Sequence, residues 1–251
     1  MDLPPPTYES FIHSHEFEFL VGPDKKPFYI HADLPGIRSE YFGKLISGKM
    51  LEAQERTATL KDIDEGTFLR FTEFVYRGDY TTPAPKRIPD PEIPLPNEKA
   101  ADNKAMQVPM AAENETAAPA QPLSDGTVAV NEDPDDDYTA VFLAHANLYI
   151  FSDQCFIESL KALVVQKLCL ALSRFILHDQ RVEDIVELLR HTYNHTVSPE
   201  NGIDPLRDLL TEYVGCVADK VCEHEAFKAL MEENAEIMKD LLPRLLERFV
   251  G

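Results

Sequence analysis

The chain has 251 residues, of which 44% are hydrophobic and 27% are charged, and these fractions are typical of a folded globular protein. Its 44 acidic residues outnumber its 24 basic residues, so the formal net charge is −20. A surface this acidic repels phosphate backbones and anionic lipid headgroups. We therefore expect no nucleic-acid or membrane partner, and the composition favours partners that are proteins.

The chain start and the cysteines predict an intracellular location, cytoplasmic, nuclear or both. The opening MDLPPPTYES lacks the basic and apolar segments of a secretion signal. No two cysteines have Cys-x-x-Cys spacing, and all of them lie among apolar residues of predicted helices, where a free cysteine behaves as a small hydrophobe. They are Cys155, Cys169, Cys216 and Cys222.

A β-hairpin follows a short lead of residues 1–15. Phe17, Phe19 and Val21 alternate with other residues in FEFLVG, which indicates a strand with one buried face. GPDKKP contains turn-forming glycine and proline, and PFYIH supplies the second strand.

A helix, a strand and a second helix are predicted next. Apolar residues recur at three- and four-residue spacing from 34 to 46, which predicts helical structure that ends at Ser47-Gly48. TATLKDI predicts a third strand. Asp64 is then a suitable N-cap for a helix that ends at Gly78.

Residues 83–137 differ from the rest in composition. They hold ten of the nineteen prolines, no aromatic residue, and twelve acidic residues against four basic ones. Too little apolar surface is present to offset the entropy of ordering, so this segment is predicted to be a disordered acidic insert.

Helices are predicted throughout the rest of the chain. AVFLAHANLYIF and CFIESLKALVVQKLCLAL form two helices, with an N-cap expected at Ser152-Asp153, and RVEDIVELLRHTYNH forms a third. Asp204-Pro205 combines a capping residue with proline at the first helical position. Residues 225–249 predict one or two further helices, with a bend at Pro243.

The order of these elements, together with specific residues in them, resembles the BTB/POZ domain. The matching residues are His31 on the second strand, Ser39 and Phe42 in the next helical segment, Leu60 and Asp62 around the third strand, and Phe68, Tyr76 and Gly78 on the helix after it. The resemblance implies an α+β fold with a small mixed sheet flanked by helices, followed by an all-α C-terminal region. The BTB/POZ domain would comprise residues 16–82 and 138–175, interrupted by the insert, with the helical region at 176–251.

The resemblance also implies a function in protein–protein interaction and not catalysis. Met50 and Glu52 resemble the apolar-x-Glu signature that BTB adaptors present to the cullin scaffold of ubiquitin ligases. The chain would then be a substrate adaptor. The alternative for these residues is a solvated turn with a locally packed methionine, and the alternative function is a homo-oligomerising or transcription-associated BTB protein without a ligase role.

A homodimer face is a second implied site. The resembling family pairs through its first helix and the start of the next, which here implies Phe11, Ile12, Leu34 and Ile37. Packing within one chain is the alternative, and for Leu34 the two alternatives have equal weight.

No cofactor, metal or catalytic site is predicted. His191 and His195 are spaced i, i+4 and could ligate a metal from one helix face, but no third ligand is near in sequence. A histidine pair that interacts with the negative end of the helix is the favoured interpretation. His31 is predicted to be a hydrogen-bonded core residue, and the chain has no glycine-rich phosphate loop or nucleophile elbow.

Overall fold

The computed structural model describes residues 11, 13–88, 131, 133–200 and 202–250, with the side chains of Ile37 and of residues 248–250 left aside. Its architecture is α+β and mostly helical with a small sheet, as the sequence predicts. The strands are β1 Glu16–Val21, β2 Lys26–His31, β3 Thr57–Leu60, β4 Lys86–Arg87 and β5 Asp136–Asp137.

Helices α1 to α4 belong to the N-terminal part: Asp33–Arg38, Glu40–Ser47, Leu51–Glu55 and Glu65–Arg77. Helices α5 to α11 follow: Thr139–Gln154, Glu158–Arg174, Val182–His195, Pro205–Cys216, Ala218–Val221, Glu225–Glu233 and Ala235–Val250. A short 3-10 helix, Asp179–Arg181, precedes α7.

The main sheet is mixed and has the strand order β2-β1-β3. The predicted hairpin is confirmed, since β1 pairs antiparallel with β2 and Phe17 lies opposite Ile30. Strand β3 pairs parallel with β1, and Phe19 lies opposite Ala58. A parallel pair needs a crossover connection, and α1 to α3 supply it.

The helical segment predicted from 34 to 46 is confirmed as helical, and the structure divides it into two helices at Ser39. This residue has an extended backbone (φ −147°, ψ 126°), and its hydroxyl accepts a hydrogen bond from the Phe42 N–H at 3.3 Å. Serine at an N-cap satisfies a backbone donor that the helix leaves open. The apolar spacing continues across the division, so the sequence pattern does not reveal it.

The predicted capping residues of α4 and α8 are confirmed, and the N-cap predicted at Ser152-Asp153 is wrong. Asp64 caps α4, Gly78 ends it in the left-handed conformation at φ 72°, and Asp204 caps α8. The N-cap expected at Ser152 is absent, because α5 continues to Gln154. The Ser152 hydroxyl instead donates to the Leu148 carbonyl four residues back, a bond that serine can make inside a helix.

The two ends of the predicted insert form part of the ordered structure. Strands β4 and β5 pair antiparallel there. Asn131 is fully buried, and its side-chain amide exchanges hydrogen bonds of 2.6 and 2.7 Å with the backbone of Ile176. Residues 89–130 and 132, and with them most of the predicted insert, lie outside the described residues.

The core is one continuous cluster that joins the sheet to the helices of the C-terminal half. From residue 138 to 250 the described chain is helical between its connections, and α10 and α11 are separate helices with Pro243 inside α11. The four cysteines differ in burial. Cys155 is buried, whereas Cys169, Cys216 and Cys222 are exposed. Among the described helices, none has both the length and the apolar composition for a membrane span.

Candidate protein-interaction site

A sharp break in the chain presents Met50 and Glu52. Helix α2 ends at Ser47, and Gly48 continues in an extended conformation. A Cβ atom on Gly48 would lie 2.2 Å from the Lys44 carbonyl oxygen, so only glycine fits this turn. The turn directs the chain away from α2 before α3 begins at Leu51.

Two neighbouring apolar side chains are largely exposed at this break. Met50 is 64% exposed and Leu51 is 61% exposed. Met50 occupies the N-cap position of α3, but its thioether makes no capping hydrogen bond. Glu52 follows in the first turn of α3 and forms no ion pair with any of the described residues. Met50 therefore occupies the N-cap position of α3 without stabilising the helix, and its side chain faces solvent.

Tyr41 on α2 extends this surface. Its ring is 38% exposed and contacts Phe42 edge-on at 5.3 Å between centroids. Burial raises the pKa of the Tyr41 hydroxyl, and the negative charge of Glu52 raises it further. The Tyr41 hydroxyl therefore lies within electrostatic range of α3. We call Tyr41, Met50, Leu51 and Glu52 the α3 surface.

The connection between α5 and α6 carries a further exposed aromatic residue. Phe156 is 71% exposed and has a left-handed backbone with φ 56°. A bulky residue in this conformation is strained by about 1–3 kcal/mol, and such strain concentrates at functional sites. The connection is fixed to α2, because the Ser39 hydroxyl donates to the Cys155 carbonyl at 2.6 Å.

The chemistry of the α3 surface suits binding and not catalysis. Transfer of Met50 or Leu51 from water into a partner groove would contribute about 1.5–3 kcal/mol for each side chain. Glu52 offers an acceptor for a donor on the partner, which would fix orientation. Tyr41 combines an apolar ring with a polar end, a property common at interfaces.

Two of the residues proposed for a homodimer face, Phe11 and Leu34, have described side chains, and both are buried. Leu34 is 1% exposed and belongs to the core, which decides its two alternatives in favour of packing within the chain. Phe11 is 9% exposed and packs edge-on against His31 and Tyr76 at 5.8 and 6.3 Å between centroids. Both side chains are buried within the single chain, and the homodimer face stays a prediction.

The two other proposed dimer residues, Ile12 and the side chain of Ile37, lie outside the described residues. The backbone of Ile37 lies in α1.

The histidines considered as ligands or catalysts have hydrogen-bond partners within the protein. His191 Nε2 lies 2.6 Å from the Asn147 side-chain oxygen, and His195 Nδ1 lies 2.8 Å from the His191 carbonyl. Burial lowers the pKa of His191, and His195 lowers it further. His31 Nδ1 lies 2.8 Å from the Tyr76 hydroxyl. No group of three metal-ligating side chains occurs in the part of the chain that the structure describes.

Comparison with known proteins adds no family assignment. No protein-family model matches the chain, and no curated protein matches it.

The structure adds three residues that the sequence did not suggest for this region, Tyr41, Leu51 and Phe156. Leu51 follows Met50 directly, and an apolar pair after a Ser-Gly break could have indicated it. Phe156 lies in the apolar run CFIESL, and no local signal distinguishes its left-handed backbone from a helical one.

Proposed function

We propose that the chain is a protein-interaction module of the BTB/POZ type that acts as a substrate adaptor for a cullin-based ubiquitin ligase. The observation that carries the proposal is the exposure of Met50 and Leu51, 64% and 61%, beside the carboxylate of Glu52, which has no ion-pair partner among the described residues. This is the arrangement expected for an apolar-x-Glu docking signature. No catalytic role is proposed for any residue.

Contacts among the residues that carry the resemblance support the BTB/POZ part of the proposal. Ser39 caps α2, and Phe42 and Phe68 are fully buried beneath the sheet. His31 on β2 contacts Tyr76 on α4. The mixed sheet, with helices in the crossover between β1 and β3, agrees with the small mixed sheet that the resemblance implies.

The proposed adaptor has two functional parts. The α3 surface docks the cullin scaffold, with Met50 as the apolar anchor and Glu52 as the orienting acceptor. The helices from 176 to 250 hold a second protein, the substrate. The continuous core that joins the two parts would fix their relative positions.

The test is the substitution Met50→Glu. We expect it to abolish association with the cullin scaffold, because a charge at the anchor cannot enter an apolar groove without a large desolvation penalty. The side chain is exposed, so the free energy of unfolding should change by less than about 0.5 kcal/mol. Titration calorimetry against a purified cullin N-terminal region measures the affinity.

Met238→Glu is the matched control, since Met238 is also exposed, at 39%, but lies on α11. It should leave the affinity unchanged. Equal binding by wild type and by Met50→Glu would refute the adaptor proposal.

The alternative function, an oligomerising or transcription-associated scaffold, is favoured by a different feature. Met238, Leu242 and Leu246 are exposed at four-residue spacing along α11, which forms an apolar stripe on one helix face. Light scattering over a concentration series separates the two functions. A stable oligomer without cullin affinity would support the scaffold, and a monomer that binds cullin would support the adaptor.

A further inference from the structure

A groove with a volume of about 660 Å³ runs between α6 and α8, in the helical half of the protein. This volume lies within the range of natural binding sites. The apolar part of its lining is formed by Ala162, Val165, Ile203, Pro205 and Leu209.

The two walls of the groove are rows of residues at helical spacing. Ala162, Val165 and Cys169 are spaced i, i+3, i+7 on α6. Pro205, Leu209 and Glu212 are spaced i, i+4, i+7 on α8. Residues at these spacings lie on one face of a helix. Two such rows side by side form the surface into which a third helix packs its own apolar row.

The α8 wall is held in place by a buried bond. The Tyr149 hydroxyl on α5 donates to the Asp204 carboxylate at 2.8 Å, and Asp204 also caps the start of α8. Tyr149 itself lines the groove. The groove is therefore largely formed before any ligand binds, which lowers the entropic cost of binding.

The charges that line the groove are predominantly acidic. Glu158, Asp208 and Glu212 contribute three carboxylates. Lys161 is the basic residue among the lining residues, and its ammonium group lies 2.6 Å from the Asp153 carboxylate and 3.9 Å from the Glu158 carboxylate.

The Lys161 charge is compensated by the neighbouring carboxylates. Its side chain is 14% exposed, and its ammonium group lies 5.3 Å from the centre of the Tyr149 ring. Arg244, from α11, is bonded to Asp208 at 2.5 Å. Glu158 and Glu212 are the carboxylates of the lining that are most accessible to an incoming ligand, since Glu158 is 81% exposed despite its long contact with Lys161 and Glu212 is also exposed.

We propose that this groove binds a basic amphipathic helix from a partner protein. The apolar part of the lining would take a row of aliphatic side chains, and Glu158 and Glu212 would pair with lysines or arginines beside that row. A second copy of this chain is a poor occupant, because each copy carries a net charge of −20 and two acidic surfaces repel. The inference goes beyond the adaptor proposal and does not depend on it.

The probe for this site is a fluorescein-labelled peptide of leucine and lysine, roughly four helical turns long, with leucines at i, i+3, i+4 and i+7. A second peptide replaces each lysine with glutamate. Fluorescence anisotropy at physiological salt measures the affinity of the full chain for both peptides. We expect the lysine peptide to bind and the glutamate peptide to bind at least about tenfold more weakly.

Substitutions in the groove separate site binding from general charge attraction. Ala162→Arg fills the exposed edge of the apolar lining, and Glu212→Lys reverses the rim charge. Each substitution should lower the affinity of the chain for the lysine peptide by about tenfold or more. Ala229→Arg and Glu232→Lys make the same changes at exposed positions of α10, which does not line the groove, and they should have little effect.

Three results would overturn the proposal. One is equal affinity of the chain for the two peptides. Another is an equal loss of affinity for the lysine peptide in the groove variants and the control variants, which would indicate non-specific charge attraction. The third is a fall in sedimentation mass caused by the groove substitutions, which would make a second copy the occupant. Thermal unfolding of each variant checks folding, and Glu212→Gln provides a milder variant that should weaken binding in the same direction.

Discussion

The sheet region, residues 16–80, and the helical region, residues 131–250, have cores of different chemistry. Aromatic rings dominate the first, where the described buried polar residues are only Ser39 and Thr67. The second has an aliphatic core that contains many more buried polar groups. These are Asn131, His145, Ser152, Asp184, Thr192, Asp204, Arg207 and Thr211.

The aromatic core connects the sheet to the helices. Phe71 on α4 stacks on Phe42 at 5.0 Å between ring centroids and contacts Phe68 at 5.5 Å and Phe151 at 5.1 Å. Phe19 reaches the same cluster from β1. The stabilisation from burying large rings has no preferred direction and is roughly proportional to the apolar area removed from water. The stability of this core therefore depends on the volume and shape of its rings.

The buried polar groups of the helical region connect helices by directional bonds. The Asp184 carboxylate on α7 accepts from the Tyr138 N–H and the Thr139 hydroxyl, both at 3.0 Å, and so caps α5 from another element. Arg207 on α8 donates to the Tyr193 and Thr196 carbonyls and to the Glu236 carboxylate. Loss of one such partner leaves the others buried and unpaired.

The largest expected effect is therefore loss of ring volume in the sheet region. Phe71→Ala should lower the free energy of unfolding by about 4 kcal/mol, since Phe71 is fully buried and truncation leaves a cavity among three rings. Urea denaturation followed by circular dichroism measures the change. Leu69→Ala on the same helix is the control, because Leu69 is 49% exposed and its loss should be below about 1 kcal/mol.

The second-largest decrease in the free energy of unfolding is expected from removal of one buried charge in the helical region. Arg207→Met keeps much of the side-chain volume but leaves the Tyr193 and Thr196 carbonyls without their donor. We expect a loss of about 3 kcal/mol in the same denaturation experiment. Arg207 is 2% exposed and its guanidinium stacks over the Tyr193 ring at 4.3 Å, so no water replaces it.

Arg190→Met is the matched control for that substitution. Arg190 on α7 pairs with Glu187 and Glu233, but its side chain is 33% exposed. Such a pair contributes less than about 1 kcal/mol. If the two arginine variants lost equal stability, the distinction between the two cores would fail, because burial of the polar group would not matter.

The sequence predicted those elements whose signals are local. Strand alternation and a turn identified the hairpin, and the capping side chains Asp64 and Asp204 each lie next to the helix that they cap. The break at Ser39 was missed because the apolar spacing continues through it. The bonds between Asn131 and Ile176 join residues 45 positions apart, so no local pattern could reveal them.

The candidate site, like the fold, was predictable where the sequence signal is local. Met50 follows a Ser-Gly break, and its exposure fits the predicted turn. The resemblance placed Leu34 on a dimer face with packing within the chain as the alternative, and its burial in the core depends on tertiary packing that no local pattern shows. The groove between α6 and α8 depends on how two distant helices pack, and it was not foreseen.

The smallest expected effect is a pH dependence that originates at one buried histidine of the helical region. His145 is 1% exposed, and its Nδ1 lies 2.6 Å from the Tyr80 hydroxyl. Burial, followed by the positive charges of Lys167 and Arg70, lowers the pKa of His145 to about 3 from an ordinary value of 6.5. Between these two pH values the unfolded chain binds a proton at His145 that the folded chain does not bind.

Stability contributed by neutral His145 is therefore complete above pH 6.5 and is lost as the pH falls towards 3, by at most about 1.4 kcal/mol per pH unit. The measurement is urea denaturation of the wild type and of His145→Gln at pH 7, 6 and 5. The glutamine variant should be less stable at pH 7 but should lose less on acidification, because its side chain does not titrate. Other histidines titrate in both proteins, so their contribution cancels in the difference. Equal slopes would show that His145 is protonated in the folded protein as readily as in the unfolded chain. The buried polar groups of the helical region would then be accessible to water, and the contrast with the aromatic core would be one of composition alone.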